Sequence, residues 1–81
     1  MWDVNWVQFA RADLKKWKLD KNDVEAGLIA SLDNDGARPS KERPGWHEVM
    51  FYDPNNPVQL FKLIVQINFR HVKMLQIVKM T

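Results

Sequence analysis

Val58-Gln59-Leu60-Phe61-Lys62-Leu63-Ile64-Val65-Gln66-Ile67, then a largely polar break from Asn68 to His71, then Val72-Lys73-Met74-Leu75-Gln76-Ile77-Val78-Lys79-Met80, read as two consecutive β-strands. Phe61, Leu63, Val65 and Ile67 alternate with Lys62, Ile64, Gln66 and Asn68, mostly the period of a strand with one buried face. From Val58 to Thr81 there is no acidic residue. Upstream, Trp46-His47-Glu48-Val49-Met50-Phe51-Tyr52 reads as a third strand, with His47, Val49 and Phe51 on one face. Asp53-Pro54-Asn55-Asn56-Pro57 is the turn that joins it to the next.

Further out the period changes. Val7, Ala10, Leu14 and Trp17 fall at helical spacing, with Arg11, Lys15, Lys16 and Lys18 off the stripe. Leu19-Asp20-Lys21 breaks that helix. Asn22, with Glu25 three residues later, is expected to cap a second helix whose stripe is Val24, Leu28 and Leu32. Asn34-Asp35-Gly36 ends it. Trp2, Val4 and Trp6 alternate with Asp3 and Asn5, which suits a short opening strand. The prediction is therefore α+β: a short strand, two helices, then a three-stranded antiparallel meander with the helices packed on one face. Val7, Ala10, Leu14, Trp17, Val24, Leu28 and Leu32 should meet Phe61, Leu63, Val65 and Ile67.

A chain of 81 residues supports one core, so residues 1–81 are read as a single domain. Apolar residues at 46% and charged residues at 27% argue against disorder. There is no cysteine, which excludes disulfides and thiolate metal sites. The opening Met1-Trp2-Asp3-Val4-Asn5 lacks the basic and apolar regions of a signal peptide, and apolar runs are far too short to cross a membrane. A cytoplasmic protein without membrane association is expected.

The net charge of +2 conceals an asymmetry. Residues 1–36 carry seven acids and five bases, whereas residues 37–81 carry three acids, seven bases and both histidines. Such a basic half can mark a site for phosphate or an acidic partner; equally, Lys and Arg keep a sheet edge soluble. Arg38, Lys41 and Arg43 lie in the Pro- and Gly-rich loop from Gly36 to Gly45, expected to be exposed and to carry partner contacts. Lys62, Arg70, His71, Lys73 and Lys79 lie on or between the last strands. Together these groups suit a phosphodiester backbone, and a His or Lys suits acid–base cleavage of RNA.

Other chemistries find little support. His47 and Glu48 are adjacent and point to opposite faces of a strand, so no metal site is expected. Ser31 and Ser40 lack an evident base. The glycines at 27, 36 and 45 form no phosphate-cradling loop, and no cofactor is expected. Exposed tryptophans could form a stacking platform for bases, but core packing is the stronger reading of Trp6, Trp17 and Trp46.

The chain resembles the RelE/ParE superfamily of small bacterial toxins, and within it the MqsR group, from about Leu14 to Met80. Leu19-Asp20 and Gly27-Leu28-Ile29 look like that group's Leu-Asp and Ile-Ile-Gly-Leu stretch. Trp46-His47-Glu48-Val49-Met50 is similar to its Trp-Gln-Asp-Val-Tyr strand, and Phe61-Lys62-Leu63-Ile64-Val65 to its Tyr-Leu-Lys-Ile-Thr-Val strand. Leu75-Gln76-Ile77-Val78-Lys79 resembles its closing strand. The resemblance implies an mRNA-cleaving toxin neutralised by an antitoxin protein; the expected partners are that antitoxin or a host target protein, with RNA or the ribosome as the further candidates. Lys41, His47 and Lys79 then approximate the family's Lys, Gln and Lys positions. Phe61 stands where the family has a tyrosine, and the loop before Trp46 is shorter. The alternative is a non-catalytic protein-binding module on the same scaffold, such as a phage-encoded inhibitor of a host complex. Oligomeric state is left open.

Overall fold

The longest apolar alternation lies where a sheet needs it, in the central strand. In the computed structural model, which describes residues 1–81, the strands are β1 (Asp3–Trp6), β2 (Arg38–Pro39), β3 (Trp46–Asp53), β4 (Asn56–Asn68) and β5 (His71–Lys79). The helices are α1 (Gln8–Trp17) and α2 (Lys21–Asp33). The sheet order is β1-β5-β4-β3-β2, so β4 has neighbours on both sides. The fold is α+β, with two helices on a five-stranded mixed sheet. The strands β2 to β5 pair antiparallel in sequence, whereas β1 runs parallel to β5, with Asp3 opposite His71 and Trp6 opposite Met74.

Alternation builds the core. Val49, Phe51, Phe61, Leu63, Val65, Val72, Met74 and Ile77 turn one sheet face toward Ala10, Val24, Leu28 and Leu32 of the helices, and Trp6 joins them. Val7, Leu14, Trp17 and Ile67 are partly buried against this cluster. The expected helix–sheet interface is therefore present. Ile64 points to the other face and is still only 7% exposed, flanked by Glu48 on β3 and Gln76 on β5. A position at the centre of a sheet is covered by its cross-strand neighbours even where no helix lies above it.

On β5 strict alternation fails. Val65 pairs with Met74, yet Ile64 pairs with Gln76, so Leu75 is an extra residue in the ladder. This β-bulge returns Ile77 to the helix side, where unbroken alternation would have placed Gln76.

Local signals explain most boundaries, with corrections. The cap of α2 is Asp20, not Asn22: its Oδ1 accepts the N–H groups of Asn22 and Asp23 at 2.8 and 3.1 Å. A carboxylate is well suited there, since it meets both free donors and the positive helix end. The break between the last strands is shorter than predicted, with only Phe69 and Arg70 outside the ladder, and β4 starts earlier, at Asn56. The loop from Gly36 to Gly45 contains the two-residue edge strand β2, where Arg38 faces Glu48 and Pro39 faces His47. At the end of α2, the Gly36 N–H bonds to the Ser31 carbonyl at 2.6 Å. A Cβ at Gly36 would lie 2.9 Å from that same oxygen, which explains the glycine. Neither helix is long and apolar enough to cross a membrane.

Candidate nucleic-acid interface

The helices cover one face of the sheet and leave the other open. Strand register sorts the open face into rows. One row runs Asn5, Lys73, Gln66, Trp46 from β1 to β3. The next runs Gln76, Ile64, Glu48, Arg38 from β5 to β2. A third holds Val78, Lys62 and Met50, and a fourth Leu60 and Tyr52.

The first row is polar and carries an aromatic ring. Trp46 is the one tryptophan outside the core and its packed margin; Trp6 is in the core, and Trp2 and Trp17 pack against it. The indoles of Trp2, Trp6 and Trp17 donate to Asp33 Oδ1, Glu25 Oε1 and the Ile77 carbonyl, at 2.8, 2.6 and 3.2 Å. The Trp46 ring is instead met by the Arg43 guanidinium, 4.9 Å from its centroid, a cation–π contact. A hollow at the other end of the row is lined by Asn5, Gln66, Asn68, His71 and Lys73. The core-packing expectation holds for Trp6 and Trp17 and is corrected for Trp46, whose register position lies on the open face.

The cations of this face differ in availability. Lys62 Nζ lies 3.8 Å from Glu48 Oε2, and Arg38 stands opposite the same Glu48 in the ladder. Lys73 is exposed and makes no ion pair. Arg70 is exposed at the hairpin tip, with its carbonyl accepting the Asp3 N–H at 2.8 Å. Beside it, His71 Nδ1 lies 3.0 Å from Asp3 Oδ2, both side chains being largely exposed.

The candidate catalytic residues are dispersed. Lys41 is exposed in the loop after β2. His47 faces the helix side next to Val65, and its Nδ1 is buried without a hydrogen-bond partner. Lys79 also faces the helix side, opposite Phe61, with its Nζ 5.6 Å from the centre of the Trp17 ring. His47 and Lys79 face β4 residues four positions apart and from opposite sides, which separates their backbones by roughly 16 Å. The register unites instead Lys73, Gln66, Asn5 and Trp46. Gln66 was legible as an outward position of β4; Asn5 needed the parallel pairing of β1, for which no local signal exists. No three His, Cys, Asp or Glu side chains gather to hold a metal ion.

No protein-family model matches the chain, and neither a curated protein nor a solved structure matches it.

Proposed function

We propose that this protein binds single-stranded RNA across the open sheet face, as a toxin of the toxin–antitoxin type would, with a protein as its neutralising partner. One observation carries the reading: the row Asn5–Lys73–Gln66–Trp46, with Arg43 stacked at its end. An aromatic ring accepts a base by stacking, amide side chains meet base or ribose edges, and unpaired cations meet phosphate. Arg70 at one end and Arg38 in the neighbouring row extend the positive path. The resemblance to the toxin superfamily rests on the sequence and supplies the target class.

Binding is the central step in this reading. Cleavage by a concerted set would need a general base and a charge-stabilising group at one phosphate, within about 3 Å of the moving proton. His47 and Lys79 lie far beyond that separation, and both face the helix side, away from the proposed RNA path, so binding stands in this reading without a cleavage step.

The test is a fluorescence-polarisation titration of a labelled single-stranded RNA, followed by a gel of the same samples. Wild type should bind at low salt, and Trp46→Ala should weaken binding by roughly 5- to 100-fold, the range of one base–aromatic stack. Cleavage that disappears in His47→Ala would add an endoribonuclease activity. Absence of RNA binding at low salt would sink the proposal and leave the protein-binding module as the surviving alternative.

A further inference from the structure

The outer edge of β3 is only partly covered. The Ser40 N–H bonds to the Trp46 carbonyl at 2.8 Å, and Arg38 pairs with Glu48, so alternate residues of β3 aim their backbone groups at this edge. The next two in that series are Met50 and Tyr52. Strand β2 ends before reaching them, and their outward N–H and C=O groups have no protein partner. The two residues are 48% and 60% exposed. Pro54 follows, and its missing N–H would end any added ladder there.

A groove lies beside this open edge. It measures about 480 Å³ and runs between α2 and β3, with Asp23, Ala26, Gly27 and Ser31 on one wall and Met50, Phe51 and Tyr52 on the other. The helix side is built of small residues. At Gly27 a Cβ would lie 2.6 Å from the Phe51 ring, so the glycine lets helix and strand approach there. The one charged group of the lining is Asp23, which makes no ion pair.

We propose that this edge and groove bind an extended basic peptide segment by strand addition. Its backbone would pair with Met50 and Tyr52, alternate side chains would enter the groove, and a Lys or Arg would meet Asp23. The Asp23 carboxylate disfavours a nucleic-acid backbone, so this site is separate from the open sheet face and independent of the RNA reading. A second copy of the chain complements it poorly: Val49–Asp53 has no Lys or Arg to offer Asp23 and brings its own acidic groove.

The experiment is selection of a displayed library of short linear peptides on the full chain, then titration of a synthetic winner. Winners should alternate β-branched or aromatic residues and share a Lys or Arg at one position. Binding should slow amide exchange at Met50 and Tyr52. Met50→Pro removes an outward donor while leaving the β4 ladder intact, and should weaken the winner about 3- to 10-fold. Asp23→Lys should convert the selected charge from basic to acidic, and it decides the matter if Met50→Pro does not fold. Three results would overturn the proposal: no enrichment, an unchanged charge preference on Asp23→Lys, or a dimer whose Met50 and Tyr52 amides are already protected without peptide.

Discussion

Asp13 is the only charged residue in the buried set, and its position on α1 explains why it is tolerated there. Its Oδ2 accepts the Ile77 N–H at 2.9 Å, and Trp17, one turn on, donates its indole N–H to the Ile77 carbonyl at 3.2 Å. The ladder between β1 and β5 stops at Trp6 and Met74, so the Asp13 and Trp17 side chains satisfy backbone groups that would otherwise form a bare edge. Asp13→Ala should therefore cost about 1–3 kcal/mol in urea unfolding, the penalty for a buried N–H left without an acceptor. Asp13→Asn keeps an acceptor oxygen and should recover most of that loss. Gly27 makes a second test at this scale. Alanine at an interior helix site normally gains about 1 kcal/mol, but here its methyl would press on the Phe51 ring. Net destabilisation of about 1–3 kcal/mol is expected from overpacking, with partial recovery when Phe51→Leu is added. A stabilised Gly27→Ala protein would mean that the strand side yields freely.

Among the elements, α2 offers the sharpest discrimination, because two residues in its first turns are chemically able to cap it. Asp20 accepts two backbone N–H groups, whereas Asn22 lies inside the helix. Asp20→Ala should cost about 0.5–2 kcal/mol and Asn22→Ala close to nothing, by thermal or urea unfolding. The sheet has a matching test in Leu63, fully buried on the central strand, where Leu63→Ala should cost roughly 2–5 kcal/mol. These elements were legible because their signals are local: a helical stripe, a strand alternation, a turn rich in Asp, Pro and Asn. What escaped depends on distant pairing. Nothing in Asp3–Trp6 states that its partner is β5, and the bulge at Leu75 reveals itself only when Ile77 must return to the core. The site follows the same division. Lys62, Gln66 and Lys73 could be placed on an outward face from alternation alone. Alternation set Trp46 there too, opposite in facing to His47, Val49 and Phe51, but the usual burial of tryptophan pointed inward, and three of the four here do pack inside. The turn at Phe69 also hid its length: Phe69 adopts φ 56°, a conformation usually left to Gly or Asn, and is 88% exposed.

At the scale of the molecule, charge is partitioned by surface. The groove between α2 and β3 carries Asp23 alone, whereas the open face carries Lys73, Lys62 and Arg38, with Arg43 stacked on Trp46. The cations of the open face should not contribute equally to the proposed RNA binding, because Glu48 already lies 3.8 Å from Lys62 and opposite Arg38. Lys73 has no such competitor, so it should be the stronger phosphate contact. Binding measured over a range of salt concentrations tests this, since each phosphate neutralised releases counterions and adds roughly 0.7 to the log–log slope for a single strand. Lys73→Ala should lower the slope by about that amount, and Lys62→Ala by less. Charge reversal at Arg38, Lys41 and Arg43 together should reduce affinity further, with the greatest loss at low salt, where screening is weakest. Each exposed substitution should shift unfolding by no more than about 0.5 kcal/mol, which separates lost contacts from lost fold. An unaltered slope in Lys73→Ala would mean that RNA does not lie along the Asn5–Trp46 row, and the proposed binding face would fall with it.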